Sequence, residues 1–332
     1  MSTTEKSKIV AMGVDLARNS LGNYSKSEVE TNLRTTLNEL IGEEKNLRRA
    51  FRKNGHAIFT VMEEILDIMI TEGIENQFEQ FVEYKSVAHG DKPIFMVDDY
   101  KLFPVAVMAS GINGIRRQRL DRQGFTVPTS YKGVQVYEEM ERFLAGKTDW
   151  SKMIAKVQRS MNANIAADIN TALVNAYTAL GAPYKISAAW ALDKHTTLIQ
   201  HVEAATDRKA MVVGTKLGLQ NVSPAFVAYN GQAIEERNQA GFFKVVDGTV
   251  HVEIKQAHVP GTDTFAINDK NLIVLPDGEE KIVKLVLEGE AEIRESGVNN
   301  NENADDSVDY HFRKKYGVGV VTATRYGAYL IP

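Results

Sequence analysis

Between Thr148 and Leu180 apolar residues recur at steps of three and four: Ile154, Val157, Met161, Ile165, Ile169, Leu173, Ala176 and Leu180. That spacing puts them on one stripe of a helix, and Lys152, Lys156, Arg159, Asn162 and Asp168 fall mostly off it. Thr148 can serve as N-cap, Asp149 places a negative charge in the first turn, and Gly181 with Pro183 supplies the stop. At 1.5 Å per residue this helix is roughly 48 Å long, well beyond the usual three or four turns. A rod with one apolar stripe needs a partner of matching length.

That partner is predicted at Lys281–Ser296. Val283, Leu285, Leu287, Ala291 and Ile293 alternate with Lys284, Glu288, Glu290, Glu292 and Arg294. The period is two over about fourteen residues, or roughly 46 Å of strand, whereas ordinary strands run about five or six residues. A second strand, Val308–Lys314, returns after the polar loop Gly297–Ser307. A half-polar hairpin lying along the helix satisfies both elements.

Elsewhere the pattern changes with position. Upstream, Ser27 and Glu30 form a capping box ahead of Leu33, Leu37, Leu40 and Ile41. A helical stretch closes with Lys45, Arg48, Arg49, Arg52 and Lys53 before Gly55. These cations read either as a solvated helix end complementing the dipole or as a contact for packaged nucleic acid. Another helix is expected over Ile58–Glu72. Phe81–Val87, Ile94–Val97 and Leu102–Met108 read as strands of a hairpin, punctuated by Gly90, Pro93 and Pro104. Phe125–Val127 and Val134–Val136 lead into a short helix, Tyr137–Ala145. After the long helix comes an α/β mixture of about ninety residues, the size of a small domain. It has helices at Ala189–Ala205 and Gln232–Gln239 and strands at Ala210–Val213, Ala225–Tyr229, Val250–Ile254 and Thr264–Leu275. The β-rich end, Tyr316–Ile331, is expected to close back on it.

Composition narrows the class. The 332 residues are 43% hydrophobic and 25% charged, as in an ordinary globular protein. No run of about eighteen apolar residues suggests a membrane span, and the amino terminus has no apolar signal core, so a cytoplasmic site of synthesis and residence is expected. With no cysteine, disulfides, thiolate metal sites and cysteine nucleophiles are excluded. A net charge of −4 is not that of a dedicated nucleic-acid reader. Within the acidic whole, Arg116, Arg117, Arg119 and Arg122 crowd a glycine-rich stretch with one acid, Asp121. They read either as a charged contact surface or as a solvated loop. Glu63, Glu64, Asp67, Glu72, Glu75, Glu79 and Glu83 are a candidate complement on another copy.

Catalytic patterns do not emerge. His195 and His201 lie six apart, on different helix faces, whereas a helical zinc pair needs four. No phosphate loop, nucleophile elbow or dinucleotide fingerprint occurs. The pairs Asp98–Asp99 and Asp305–Asp306 sit beside turn residues, and Asn299–Asp306 lacks the spacing and closing Glu of a calcium loop, which leaves a flexible hairpin tip. The expectation is a protein that is not an enzyme and has no metal and no cofactor.

In order and length of elements, nearly the whole chain resembles the major capsid proteins of tailed bacteriophages, the Hong Kong 97 (HK97-like) fold of the α+β class. The resemblance implies an N-terminal arm at 1–80 and an extended E-loop at 81–128. It implies a peripheral domain at 129–186 and 281–315, holding the spine helix and long hairpin, and an axial domain at 187–280 and 316–332. The hairpin tip, with Asn299, Asn300, Glu302, Asp305 and Asp306, and the arginines at the E-loop base would then be inter-subunit contacts. Copies would form hexamers and pentamers of an icosahedral shell enclosing double-stranded DNA without sequence-specific binding. Separate scaffolding, portal and decoration proteins would be the partners, no membrane would take part, and the chain, assembled in the host cytoplasm, would end in the virion capsid. Two departures from the family are expected: no scaffolding segment of about a hundred residues fits ahead of the arm, so a separate scaffold or none is expected, and the arm is expected to be retained. Lys85, Lys92 and Lys101 lie in the E-loop, but no covalent cross-link is expected. An encapsulin-type compartment shell shares the fold, and a soluble enzyme with its site in Ser187–Glu280 is the rival of another class.

Overall fold

Three long elements lying side by side set the architecture. The computed structural model describes residues 10–11, 14, 47–98, 102–108, 110, 117–119, 122–139, 150–178, 180–222, 231–278, 281–296, 307–321 and 325–332. In chain order they form α1 (Leu47–Phe78), β1 (Val82–Val87), β2 (Ile94–Asp98), β3 (Arg122–Thr126), β4 (Ser130–Glu139) and α2 (Trp150–Thr178). Then come β5 (Lys185–Ser187), α3 (Leu192–Thr206), β6 (Ala210–Gly214), α4 (Lys216–Gln220), α5 (Gly231–Ala240), β7 (Val245–Val246) and β8 (Thr249–Glu253). The last are β9 (Asn271–Pro276), β10 (Val283–Ser296), β11 (Ser307–Val320) and β12 (Gly327–Leu330). The capping box at Ser27–Glu30, the strand at Ala225–Tyr229 and the cap at Thr148 lie outside the described residues.

The predicted spine is α2, 29 residues long. Its buried apolar positions are Ile154, Val157, Met161, Ile165, Ala166, Ile169, Leu173 and Tyr177, the expected stripe with Ala166 and Tyr177 added and with Ala176 and Leu180 only partly buried. α1 differs from expectation. It is a single helix of 32 residues that runs through Gly55, where a break was predicted. An internal glycine costs only about 1 kcal/mol relative to alanine, and α1 buries Val61, Met62, Ile65, Leu66, Ile70, Ile74 and Phe78. Burying each large apolar side chain returns roughly 1.5–3 kcal/mol, so the glycine is overruled. Arg48, Arg49, Arg52 and Lys53 consequently fall in the first turns of α1, the wrong end to complement a helix dipole. α1 and α2 approach closely at Gly73, where an added Cβ would lie 1.9 Å from Asn162 Nδ2. Beside it Gln158 Nε2 donates to the Met69 carbonyl at 3.3 Å.

The two helices pack on a four-stranded sheet ordered β1-β10-β11-β4. β10 and β11 are 14 residues each and pair antiparallel from Val283↔Val320 to Ser296↔Asp309, so β11 continues well past the predicted Lys314. Leu285, Leu287, Ala291, Ile293, Tyr310, Phe312 and Tyr316 share one core with the helix stripes. Two expectations fail here. Phe81–Val87 was read as part of the E-loop hairpin, but β1 pairs parallel to β10, Val82 opposite Val283. Of the helix expected over Tyr137–Ala145, the first three residues are strand instead, since β4 runs to Glu139 with ten positions in register with β11 from Ser307↔Glu139 to Tyr316↔Ser130, and residues 140–145 lie outside the described residues. A ladder of that length outweighs a weak local helix preference. Among the described residues the extended hairpin is formed by β2 and β3, Ile94↔Thr126 to Asp98↔Arg122.

A six-stranded sheet, β5-β12-β9-β6-β8-β7, is built from the residues between α2 and β10 together with the carboxyl-terminal β12. Its central strands serve two cores by strict alternation. Val212, Leu272 and Val274 pack with Leu198, Val202 and Tyr329 under α3. Met211, Val213, Ile273 and Leu275 join the α1/α2 core instead. Strands buried on both faces read as continuous apolar runs, which is how Ala210–Val213 was found. The predicted strand Thr264–Leu275 is shorter, Asn271–Pro276. The residues before it form a flap closed by the bridge His258↔Phe265. Gly327–Leu330 inserts between β5 and β9, while Tyr316–Val320 stays in the long hairpin.

Candidate functional site

The features able to act lie on surfaces and in ion-pair clusters. β2 and β3 form a stalk whose Phe95, Phe125 and Val127 pack with Val286 over the root of the long hairpin. Beyond the stalk, residues 102–108 (sequence LFPVAVM) run outside any strand ladder. Leu102, Val105 and Val107 there are 87%, 94% and 103% exposed, and Ile94 and Met96 on the stalk are also exposed. The returning segment holds this strap through Gln118 Nε2, which donates to the Pro104 carbonyl at 3.0 Å. Arg117 and Arg119 are exposed beside it, and the exposed Arg122 opens β3 opposite Asp98. Arg116 and the tip residues Asn299, Asn300, Glu302, Asp305 and Asp306 lie outside the described residues. Three of the four predicted arginines therefore flank the apolar strap.

The hairpin root is stapled by charges that strand alternation placed in solvent. Lys284 and Glu288 are buried because the stalk and the β1–β2 turn cover that face. Lys284 pairs with Glu83 and lies 5.4 Å from the Phe95 ring centre. Glu288 accepts from Lys315 Nζ at 2.6 Å, from the Thr129 hydroxyl, and from the Gly90 N–H at 2.8 Å. Those three donors, Lys315 foremost, hold its carboxyl down to about 2. Next to it the β10–β11 register shifts between Glu288 and Glu292, and Gly289 takes φ +70. Backbone groups freed at such a bulge need partners. Asp67 accepts the Ala291 N–H at 3.1 Å, and Lys314 donates to the Gly289 carbonyl at 2.8 Å while pairing with Asp67.

This network gives three of the seven acids read as a complement on another copy, Glu63, Asp67 and Glu83, partners within their own chain. Glu63 accepts the Ile293 N–H at 2.7 Å, one helical turn from Asp67, and Glu83 is held by Lys284. These carboxylates fasten α1 and β1 to the hairpin of their own chain, because α1 crosses β10 at the bulge. Spacing alone could not distinguish this from a complement on a second copy. Tyr316 ties the same hairpin to α2, donating to Asp168 at 2.8 Å and meeting Asn164 Nδ2 at 2.6 Å. Burial first, then Asp168, raises its phenol well above the usual range.

In the six-stranded sheet, the buried His195, His251 and Tyr329 and the half-buried Trp190 form a ring cluster. The two imidazoles stack at 5.9 Å, and the Trp190 and Tyr329 rings lie 6.1 and 6.3 Å from His195. His195 Nε2, His251 Nε2 and Trp190 Nε1 are buried without a protein partner. Burial, with His251 second, lowers His195 to about 4; burial also lowers His251, partly opposed by its bond to the Thr249 carbonyl. Sequence spacing missed this pair because His195 and His251 sit on α3 and β8, joined only by the sheet. Among the described residues no three His, Asp or Glu side chains converge to hold a metal ion. None of the described helices is long and apolar enough to cross a membrane.

Comparison with known proteins follows this geometry. A family described as "SPbeta prophage-derived putative capsid protein YonB" matches residues 8–329. The mature capsid of bacteriophage PhiM1 is similar in structure, with TM-score 0.52 at 13% identity over 76% of this chain and 86% of that one. The capsid of cyanophage Pam1 is similar with TM-score 0.51 at 11% identity over 77% of this chain and 92% of that one. No curated protein sequence matches. At such identities the structures establish the fold, and the match over nearly the whole length establishes the family: this chain belongs to the YonB family of prophage-derived capsid proteins and is a structural shell protein of the Hong Kong 97 fold.

Proposed function

We propose that copies of this chain assemble through hexamers and pentamers into an icosahedral shell that encloses phage double-stranded DNA. The observation that carries this reading is the strap at 102–108, whose Leu102, Val105 and Val107 are almost wholly exposed. Covering three such side chains is worth on the order of 5–9 kcal/mol, a gain a single copy forgoes and a neighbour can supply. In this reading residues 1–80 are the arm and 81–128 the E-loop. Residues 129–186 with 281–315 form the peripheral domain, and 187–280 with 316–332 the axial domain. The parallel pairing of β1 with β10 and the length of β11 support starting the free loop after Val87 and the axial return after Val320 in this reading.

Arg116, Arg117, Arg119 and Arg122, and the tip residues Asn299, Asn300, Glu302, Asp305 and Asp306, serve as contacts between copies. A net charge of −4 supports enclosure of DNA rather than a tight grip, since phosphate affinity follows the cations presented. Assembly takes place in the host cytoplasm, with separate scaffolding, portal and decoration proteins as partners. Sedimentation and electron microscopy of the protein at neutral pH test the reading. Closed, regular particles of megadalton mass are expected. A species that stays monomeric or dimeric at every concentration, with or without a crowding agent, overturns it.

A further inference from the structure

Between the amino-terminal half of α2 and the flap at 254–267 lies a cleft of about 990 Å³ that the shell function leaves unused. Its chemistry is unlike that of the acidic chain around it. Lys156 and Arg159 from α2 and Lys255 from the flap line it, with Glu253 the one carboxylate among its lining residues. The flap contributes a flat ring pair, His258 stacked on Phe265 at 5.4 Å and 20°, with Phe265 60% exposed. On the floor lies Asn162, 8% exposed, whose Oδ1 has no hydrogen-bond partner.

We infer that this cleft binds a single strand of nucleic acid, a base stacking on the Phe265–His258 pair and the flanking phosphates meeting Lys156, Arg159 and Lys255. Each component matches one part of a nucleotide. An exposed aromatic face accepts any base, and cations follow the phosphates. An acidic peptide would satisfy the cations but supplies no planar ring for Phe265. A double helix keeps its ring faces stacked inside and can offer the cleft only phosphates. The site lies within one chain, so it stands whether or not copies form a shell.

The test is fluorescence anisotropy of a fluorescein-labelled oligodeoxythymidine of about ten nucleotides, within the usual range of site sizes, titrated with the full-length protein at several salt concentrations. Particle formation is scored separately by sedimentation, so a failure of assembly does not mask the binding result. Phe265→Ala is expected to weaken binding roughly five- to 150-fold, the fold-change for loss of one base–aromatic stack of about 1–3 kcal/mol, while Phe265→Tyr keeps it. The double substitution Lys156→Gln with Arg159→Gln should flatten the log–log salt slope by about 1.4, at about 0.7 per cation for single strands. Absence of binding at low salt overturns the inference. So does equal binding by wild type and Phe265→Ala, or competition by duplex DNA as strong per phosphate as by the single strand. Stronger displacement by a peptide of the chain's own acidic sequence 297–307 also overturns it and assigns the cleft to a second copy.

Discussion

The buried histidines make stability depend on acid in a way that can be worked out. His195 is 1% exposed, packed against Trp190, His251 and Tyr329, and its pKa falls from the ordinary 6.5 to about 4 in the fold. The unfolded chain therefore binds a proton that the folded chain refuses throughout the interval from about 6.5 down to about 4. Stability from this group is fully present above pH 6.5 and is lost as pH falls through that window. At about 1.36 kcal/mol per pKa unit, the whole loss is about 3.4 kcal/mol, and about 2 kcal/mol of it is spent between pH 7 and pH 5. His251 is lowered in the same direction and adds to the loss. The perturbation is His195→Phe, which keeps a ring in the cluster and removes the titration. Urea unfolding of the unassembled chain, followed by Trp190 fluorescence in a Trp150→Phe background, reads the free energy at pH 7, 6 and 5. The wild type should lose about 2 kcal/mol more than His195→Phe over that interval. If both lose the same amount to within about 0.5 kcal/mol, the assignment to His195 is refuted.

Other perturbations separate folding from assembly. Reversing Arg116, Arg117, Arg119 and Arg122 to Glu should impair particle formation, followed by light scattering, more than thermal unfolding of the single chain, because those described are exposed and exposed substitutions cost little; normal particles would sink the contact role. Val105→Asp with Val107→Asp should block assembly and leave the unassembled chain as stable as wild type, since both side chains are solvated there; a matching loss of monomer stability would show that the strap packs on its own chain. Phe312→Ala, by contrast, empties a site that is 0% exposed and should cost about 3–5 kcal/mol in urea unfolding, with folding failing before assembly is reached.

The periodicities of α2 and of Val283–Ile293 were enough to predict a long helix, a length-matched hairpin and a domain between them. Each of those signals is carried by consecutive residues that face one partner, and burial of one face writes itself into spacing. The same local logic misplaced Lys284 and Glu288, whose alternation said solvent while the β2–β3 stalk covers them. It also misread Glu63 and Asp67, which close a β-bulge more than two hundred residues downstream. The helix expected at Tyr137 became strand because β11 was there to pair with it. The His195–His251 pair and the cleft at Phe265 were invisible for a related reason, since each joins residues from elements that are neighbours only through the sheet or the flap. What the sequence determined by itself, then, was the lengths, faces and order of the elements, because hydrophobic burial is paid residue by residue along each one. Which charges are buried, which acids are bound internally and which apolar strap is left uncovered was decided only by the tertiary structure, because those depend on what a distant segment places within a few ångströms.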